Sequence, residues 1–235
     1  MTIGRTAGWR GLFAKERALL LSLLVVAGAS FAFLRLASEV GEGDTMAFDR
    51  YILLALRSPA DPAIPVGPHW LAEAMRDATS FGSVTGLLIV TAAALGYLLI
   101  SGRPRTALFV LAATAGGTTI GKLLKLAYDR PRPGLVPHLV DVTSASFPSG
   151  HAVDSAIVYL TLAALIARTV PDRAARLYLL SVAVLLTLMV GISRVYLGVH
   201  WPSDVVAGWT FGAAWALLCS IAYRRVIAGK TRADE

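Results

Sequence analysis

Six apolar stretches dominate the chain, at residues 18–34, 84–100, 107–126, 152–167, 177–195 and 205–223. Each reaches or approaches the roughly 20 residues that an α-helix needs to cross the hydrocarbon core of a bilayer, and the fourth is expected to run on to Thr169. Backbone polar groups find no water in lipid, so each crossing segment must satisfy its own. The six are therefore predicted to be helices of one all-α integral membrane bundle. Composition agrees, with 56% hydrophobic residues, 16% charged residues and a mean hydropathy of +0.64; soluble domains carry about 25% charged residues. The length fits a single domain, 1–235, with a motif-bearing core at about 107–223. The first apolar run is too long for a signal peptide and no convincing small-residue cleavage site follows it, so a retained helix is expected.

The connection 37–83 is long and not uniformly polar. Within 44–57, Phe48, Tyr51, Ile52, Ala55 and Leu56 share one helical face, and Trp70, Leu71, Ala74 and Met75 do likewise within 69–80. Ser58-Pro59, Asp61-Pro62, Pro65 and Pro68 break any helix between them. Two short helices on the membrane surface are expected, capping the bundle and, in a bolder reading, bordering a lipid entrance. Gly117-x-x-x-Gly121 and Gly208-x-x-x-Gly212 allow close backbone approach. Packing inside the bundle is favoured over a dimer face, and the oligomeric state is left open. Cys219, the single cysteine, reads as a small core residue.

The net charge of +7 does not mark a nucleic-acid partner, because the basic residues flank apolar segments and form no stripe. They report topology instead. Arg5, Arg10, Lys15, Arg17, Arg103, Arg105, Arg168, Arg173, Arg176, Arg224, Arg225, Lys230 and Arg232 share one side of a six-span arrangement, 13 of the 22 lysines and arginines. That side is expected to be cytoplasmic. The opposite face is then the periplasmic or extracellular side of a plasma (inner) membrane.

Three motifs fall on that outer face. The end of the third span and the loop after it carry Lys125 and, seven residues on, Arg132-Pro133; the fourth span begins Pro148-Ser149-Gly150-His151. The turn between the last two spans carries Ser193-Arg194, His200 and Asp204. Two arginines and a lysine at the water–lipid boundary call for an anion, and the planar arginine fork matches phosphate oxygens. Pro148-Ser149-Gly150 reads as a helix start with Ser149 as a cap candidate, whose free N–H groups and dipole favour phosphate. Pro202 suits the first turn of the last span and leaves His200 just outside it. A carboxylate on one imidazole nitrogen fixes the tautomer, so Asp204 would leave the other nitrogen of His200 free to attack phosphorus. His151 would protonate the leaving oxygen and then activate water. Lys125, Arg132, Arg194 and the N–H groups near Ser149 and Gly150 would hold the equatorial oxygens. Singly, each residue has an ordinary explanation as an interfacial or snorkelling side chain; jointly, at this spacing and on one face, they read as a phosphoryl-transfer site.

At these residues the chain resembles the type 2 phosphatidic acid phosphatase superfamily, which includes bacterial undecaprenyl-diphosphatases and phosphatidylglycerophosphatases, lipid phosphate phosphatases, glucose-6-phosphatase and the vanadium haloperoxidases. Its signature of Lys-x6-Arg-Pro, Pro-Ser-Gly-His and Ser-Arg-x5-His-x3-Asp is complete between Lys125 and Asp204. The resemblance implies His200 as nucleophile, Asp204 as its partner and His151 as acid and base. It implies Lys125, Arg132, Ser149, Gly150 and Arg194 as phosphate binders, with no metal and no cofactor, which suits a chain without a clustered ligand set. The implied substrate is a phosphorylated membrane lipid, with undecaprenyl diphosphate preferred because surplus basic residues could hold a second phosphate. Phosphatidylglycerophosphate, phosphatidic acid and lipid A phosphates are the alternatives. A vanadate-dependent oxidoreductase and a non-enzymatic lipid transporter are remoter readings, opposed respectively by the six spans and by the complete histidine motifs. Lys122 is expected to snorkel, and Arg130 to face solvent or, more boldly, to touch a second phosphate. Asp154 is expected to complement a helix start, or more boldly to tune His151, and His69 and His138 match no motif.

Overall fold

The structure, a computed structural model, describes residues 4–226. Lys230 and Arg232, counted above in the topology argument, lie outside the described residues. Among the described residues eight helices follow one another: α1 (Gly4–Glu42), α2 (Met46–Ala55), α3 (His69–Ser80), α4 (Val84–Ile100), α5 (Pro104–Ala127), α6 (Gly150–Thr169), α7 (Arg173–Tyr196) and α8 (Pro202–Val226). Their limits follow local chemistry. Gly43 closes α1 at a φ of +88°, a left-handed position that glycine adopts at least cost. Ser83 caps α4 by accepting the Gly86 N–H at 3.1 Å, and Asp172 caps α7 by accepting from Ala175 at 2.6 Å. Proline opens α5 and α8, where its missing N–H costs nothing.

Among the described residues, five helices are long and apolar enough to cross a bilayer: α1 over Leu19–Glu42, and α5 to α8. The remaining expected span differs in detail. The 17 residues of α4 rise only about 26 Å, short of the roughly 30 Å hydrocarbon core. Helix α3 adjoins α4 across a 50° bend, and together they pass as a sixth, broken span. Both short helices expected after the first span are present, and Leu71, Ala74 and Met75 of α3 are partly buried along one face. Phe48 and Tyr51 of α2 are exposed, whereas Asp49 and Leu53 are buried. In α3, Trp70 is exposed while Ala78 and Thr79 face the bundle against α7.

The packing is that of a lipid-solvated bundle. Leu24, Phe31, Ile89, Ile100, Leu108, Leu126 and Leu185 point outward, and Thr114, Ser155, Thr161 and Thr187 lie inside. Small residues draw the helices together. A side chain on Gly208 would meet Ala152 and the Ser149 carbonyl, and one on Gly121 would meet Val153, so α8 and α5 both press on α6. Both glycine pairs thus act within one chain. Helix α6 contains a π-helical stretch, Ala156–Leu160, one turn beyond its first residues; such stretches recur near functional sites. The up-and-down connectivity brings the ends of α5 and α7 and the starts of α6 and α8 to one end of the bundle.

Candidate active site

Every residue singled out by the motifs lies at that end. Ser149 occupies the N-cap position of α6, and its N–H donates to the Asp204 carbonyl at 3.1 Å, tying the start of α6 to the first turn of α8. The capping expectation holds in position only, since the Ser149 hydroxyl makes no cap bond. It is fully buried and has no hydrogen-bond partner. The next N–H groups of α6 belong to Gly150 and His151, and the Lys125 ammonium lies 3.8 Å from where a Gly150 side chain would begin.

Arg194 projects from the last turn of α7 and is 4% exposed. Its Nη1 donates to the Thr79 hydroxyl of α3 at 3.0 Å, while its buried Nε has no partner. A buried donor left unmatched carries a desolvation cost, so the unmatched Arg194 Nε and Ser149 hydroxyl are the atoms an oxyanion would satisfy. Arg132 is pinned by the Ser144 carbonyl at Nε and the Val199 carbonyl at Nη1, both at 2.7 Å. Burial holds its guanidinium below the usual value, with Asp204 opposing.

His200 is 1% exposed. Its Nε2 lies 3.2 Å from Arg132 Nη1, and a guanidinium can only donate, so Nε2 presents a lone pair. The proton then sits on Nδ1, which faces Asp204 Oδ2 at 3.4 Å. Burial pulls the imidazole down to about 4; the hydrogen bond and charge of Asp204 oppose this, and Arg132 and Arg194 add to it. His200 is therefore neutral at pH 7, as a nitrogen nucleophile must be. His151, one residue into α6, lies under the electrostatic influence of Arg194, His200, Lys125 and Arg132, and a side chain on Gly82, at the α3–α4 bend, would meet its ring at 3.3 Å.

Other residues were not legible as parts of the site. Ser146 donates to Asp204 Oδ2 at 2.5 Å, and the Trp201 N–H donates to the same oxygen at 3.0 Å. Ser146 belongs to no recognisable spacing. Arg130 does not face solvent: its side chain is 8% exposed and pairs with both Asp204 and Asp49. The sequence signal for Asp49 was its place four residues before Leu53, on the face of α2 that turns inward. Asp154 faces Lys122 and Lys125. His138 donates from Nε2 to the Pro133 carbonyl at 2.8 Å, an ordinary loop contact.

Such an arrangement can bind a tetrahedral oxyanion between the N-terminus of α6 and three cations, with an imidazole lone pair on one side and a second imidazole near by. Among the described residues, no three His, Cys, Asp or Glu side chains converge as metal ligands.

Comparison with known proteins points the same way. A family model described as the PAP2 superfamily matches residues 106–228. Phosphatidylglycerophosphatase B of Bacillus subtilis (strain 168) is 32% identical over 151 residues, 64% of this chain and 74% of its own length. Undecaprenyl-diphosphatase of Sulfolobus acidocaldarius is 37% identical over 79 residues, 34% of each chain. Among solved structures, a transmembrane PAP2 type phosphatidylglycerolphosphate phosphatase from Bacillus subtilis superposes with a TM-score of 0.75 at 27% identity, over 86% of this chain and 96% of that one.

Proposed function

The chain belongs to the PAP2 superfamily and is a multi-pass membrane phosphatase, and from that premise we propose that it hydrolyses a lipid phosphate through a phosphohistidine at His200. The observation that carries the reading is the Nε2 lone pair of a buried, neutral His200, turned toward Arg132 beside an oxyanion cradle with unmatched donors. Nε2 attacks phosphorus in line with the lipid oxygen, the P–O bond breaks, and His151 gives its proton to the departing oxygen. The positive charge left on the His200 ring is balanced by Asp204. His151, now neutral, takes a proton from water; the hydroxide oxygen attacks phosphorus, the P–N bond breaks, and its electron pair returns to Nε2. Lys125, Arg132, Arg194, the Ser149 hydroxyl and the N–H groups of Gly150 and His151 hold the equatorial oxygens throughout.

For the lipid, undecaprenyl diphosphate is the first assignment, supported by the identity with an undecaprenyl-diphosphatase and by the outward face that charge counting gives the site. One earlier argument for a second phosphate falls away, because both ends of the Arg130 fork are held by carboxylates. Phosphatidylglycerophosphate is the second reading, favoured by the relative that aligns over 74% of its own length. Phosphate release by the purified protein in EDTA, across a panel of lipid mono- and diphosphates, tests both. The expected result is metal-independent release with undecaprenyl diphosphate the best substrate. A preference for phosphatidylglycerophosphate replaces the lipid assignment, and a strict Mg²⁺ requirement overturns the mechanism. The outward face is tested by a single cysteine placed within 137–145 in a Cys219→Ala background. A membrane-impermeant thiol reagent applied outside intact cells labels it, and labelling only after lysis refutes this orientation.

A further inference from the structure

We propose that Asp49 and Arg130 are positioning residues for the reaction, forming a buried chain Asp49–Arg130–Asp204–His200 that ties the surface helix α2 to the nucleophile. The inference rests on the reading of His200 as nucleophile. Asp49 is fully buried. Its Oδ2 accepts from Arg130 Nη2 at 2.7 Å and from the Ser203 hydroxyl at 2.6 Å, and its Oδ1 accepts from the Ser203 N–H at 2.8 Å. That N–H is an orphan of the first turn of α8, so Asp49 caps, from another helix, the element that carries Asp204 and follows His200. Arg130 Nη1 donates to Asp204 Oδ1 and, at 2.8 Å, to the Ser203 hydroxyl; Nη2 also reaches the Thr45 hydroxyl at 3.2 Å. The guanidinium lies over the Trp201 ring, 5.5 Å from its centroid.

Two consequences follow for the chemistry. First, Asp204 has both oxygens fixed, Oδ1 by Arg130 and Oδ2 by Ser146 and the Trp201 N–H, so the oxygen facing His200 Nδ1 has one orientation. A fixed acceptor fixes the tautomer and aims Nε2. Second, Arg130 tempers the charge of Asp204. The other groups acting on His200 and Asp204 are Arg132 from the loop before α6, Arg194 from α7, His151 from α6 and Lys125 from α5. Of these, Arg132 and Arg194 oppose protonation of His200, and Asp204 favours it. Weakening the Arg130 clamp lets the carboxylate pull the imidazole upward from about 4 toward its ordinary range. As pH falls, protonation then removes the free base at a higher pH than in the parent.

The test compares the parent with Arg130→Lys, Asp49→Asn and His200→Ala, measuring kcat, KM, the pH profile of kcat/KM corrected for substrate ionisation, and the folded fraction by size exclusion. Lysine keeps the charge but loses the fork; asparagine keeps an acceptor for the Ser203 N–H but not the charge. Both variants are expected to lower kcat about 10- to 100-fold with KM within about twofold, by analogy with groups that orient a ligating or catalytic imidazole. Arg130→Lys is also expected to move the acid limb upward by about one pH unit. If Arg130→Lys does not fold, the near-isosteric Asp49→Asn decides by its kcat. A folded variant with kcat within twofold of the parent, or an Arg130→Lys enzyme with an unmoved acid limb, overturns the proposal. An active His200→Ala enzyme instead overturns the nucleophile assignment beneath it, so the two failures are distinguishable.

Discussion

Replacing His200 with alanine lowers kcat by about 10⁴-fold or more while KM stays within a few-fold, as expected when a covalent nucleophile is removed from an otherwise intact site. The phosphate cradle does not depend on the imidazole: Arg132 is held by the Ser144 and Val199 carbonyls, Arg194 by Thr79, and the start of α6 by its link from Ser149 to the Asp204 carbonyl. Substrate binding therefore survives, but the nitrogen that attacks phosphorus is gone. Nor does the truncation orphan a charge, because Asp204 keeps its bonds from Ser146, Arg130 and the Trp201 N–H. The fold should persist, and a thermal melt of the variant in detergent checks that loss of turnover is not loss of protein. Turnover within tenfold of the parent would contradict the assignment.

The second large effect is expected at Arg194. Arg194→Lys retains the positive charge yet lowers kcat and kcat/KM together by about 10²- to 10³-fold, the usual cost of removing one donor aimed at developing transition-state charge. One arm of the guanidinium donates to Thr79, which leaves the buried Nε–H unmatched and directed by that anchor. A lysine ammonium has no second donor held rigidly at that position, and its flexible stem is not oriented by Thr79 in the same way. Steady-state kinetics on a soluble short-chain lipid phosphate separates the cases. A rise in KM alone would mean that Arg194 contributes equally to substrate and transition state.

How far the sequence alone reached can be judged residue by residue. The spans were legible because lipid imposes a length and a polarity that no soluble helix needs. Lys125, Arg132, Ser149, His151, Arg194, His200 and Asp204 were legible because each sits at the end of a span, and up-and-down connectivity carries those ends to one face. Asp49 and Arg130 were not. Their partners lie 81 and 74 residues apart along the chain, 49 with 130 and 130 with 204, and no local period encodes such pairings. The sequence reading followed the apolar side of α2, Phe48 and Tyr51, which the structure turns outward; the buried side was marked by a carboxylate. Burying a charge is costly unless it is paired, so an arginine and a carboxylate each look like surface residues until the fold supplies the other. Likewise, no proline inside either helix announces the bend that joins α3 to α4.

The central claim is that phosphate passes through His200. Its most direct test is to mix the purified protein with a radiolabelled lipid phosphate, quench in alkali, which preserves phosphohistidine, and locate the label by mass spectrometry. The account predicts phosphate on His200 during turnover and none in the His200→Ala protein. Turnover with no phosphorylated His200, or with the label on another residue, would contradict it.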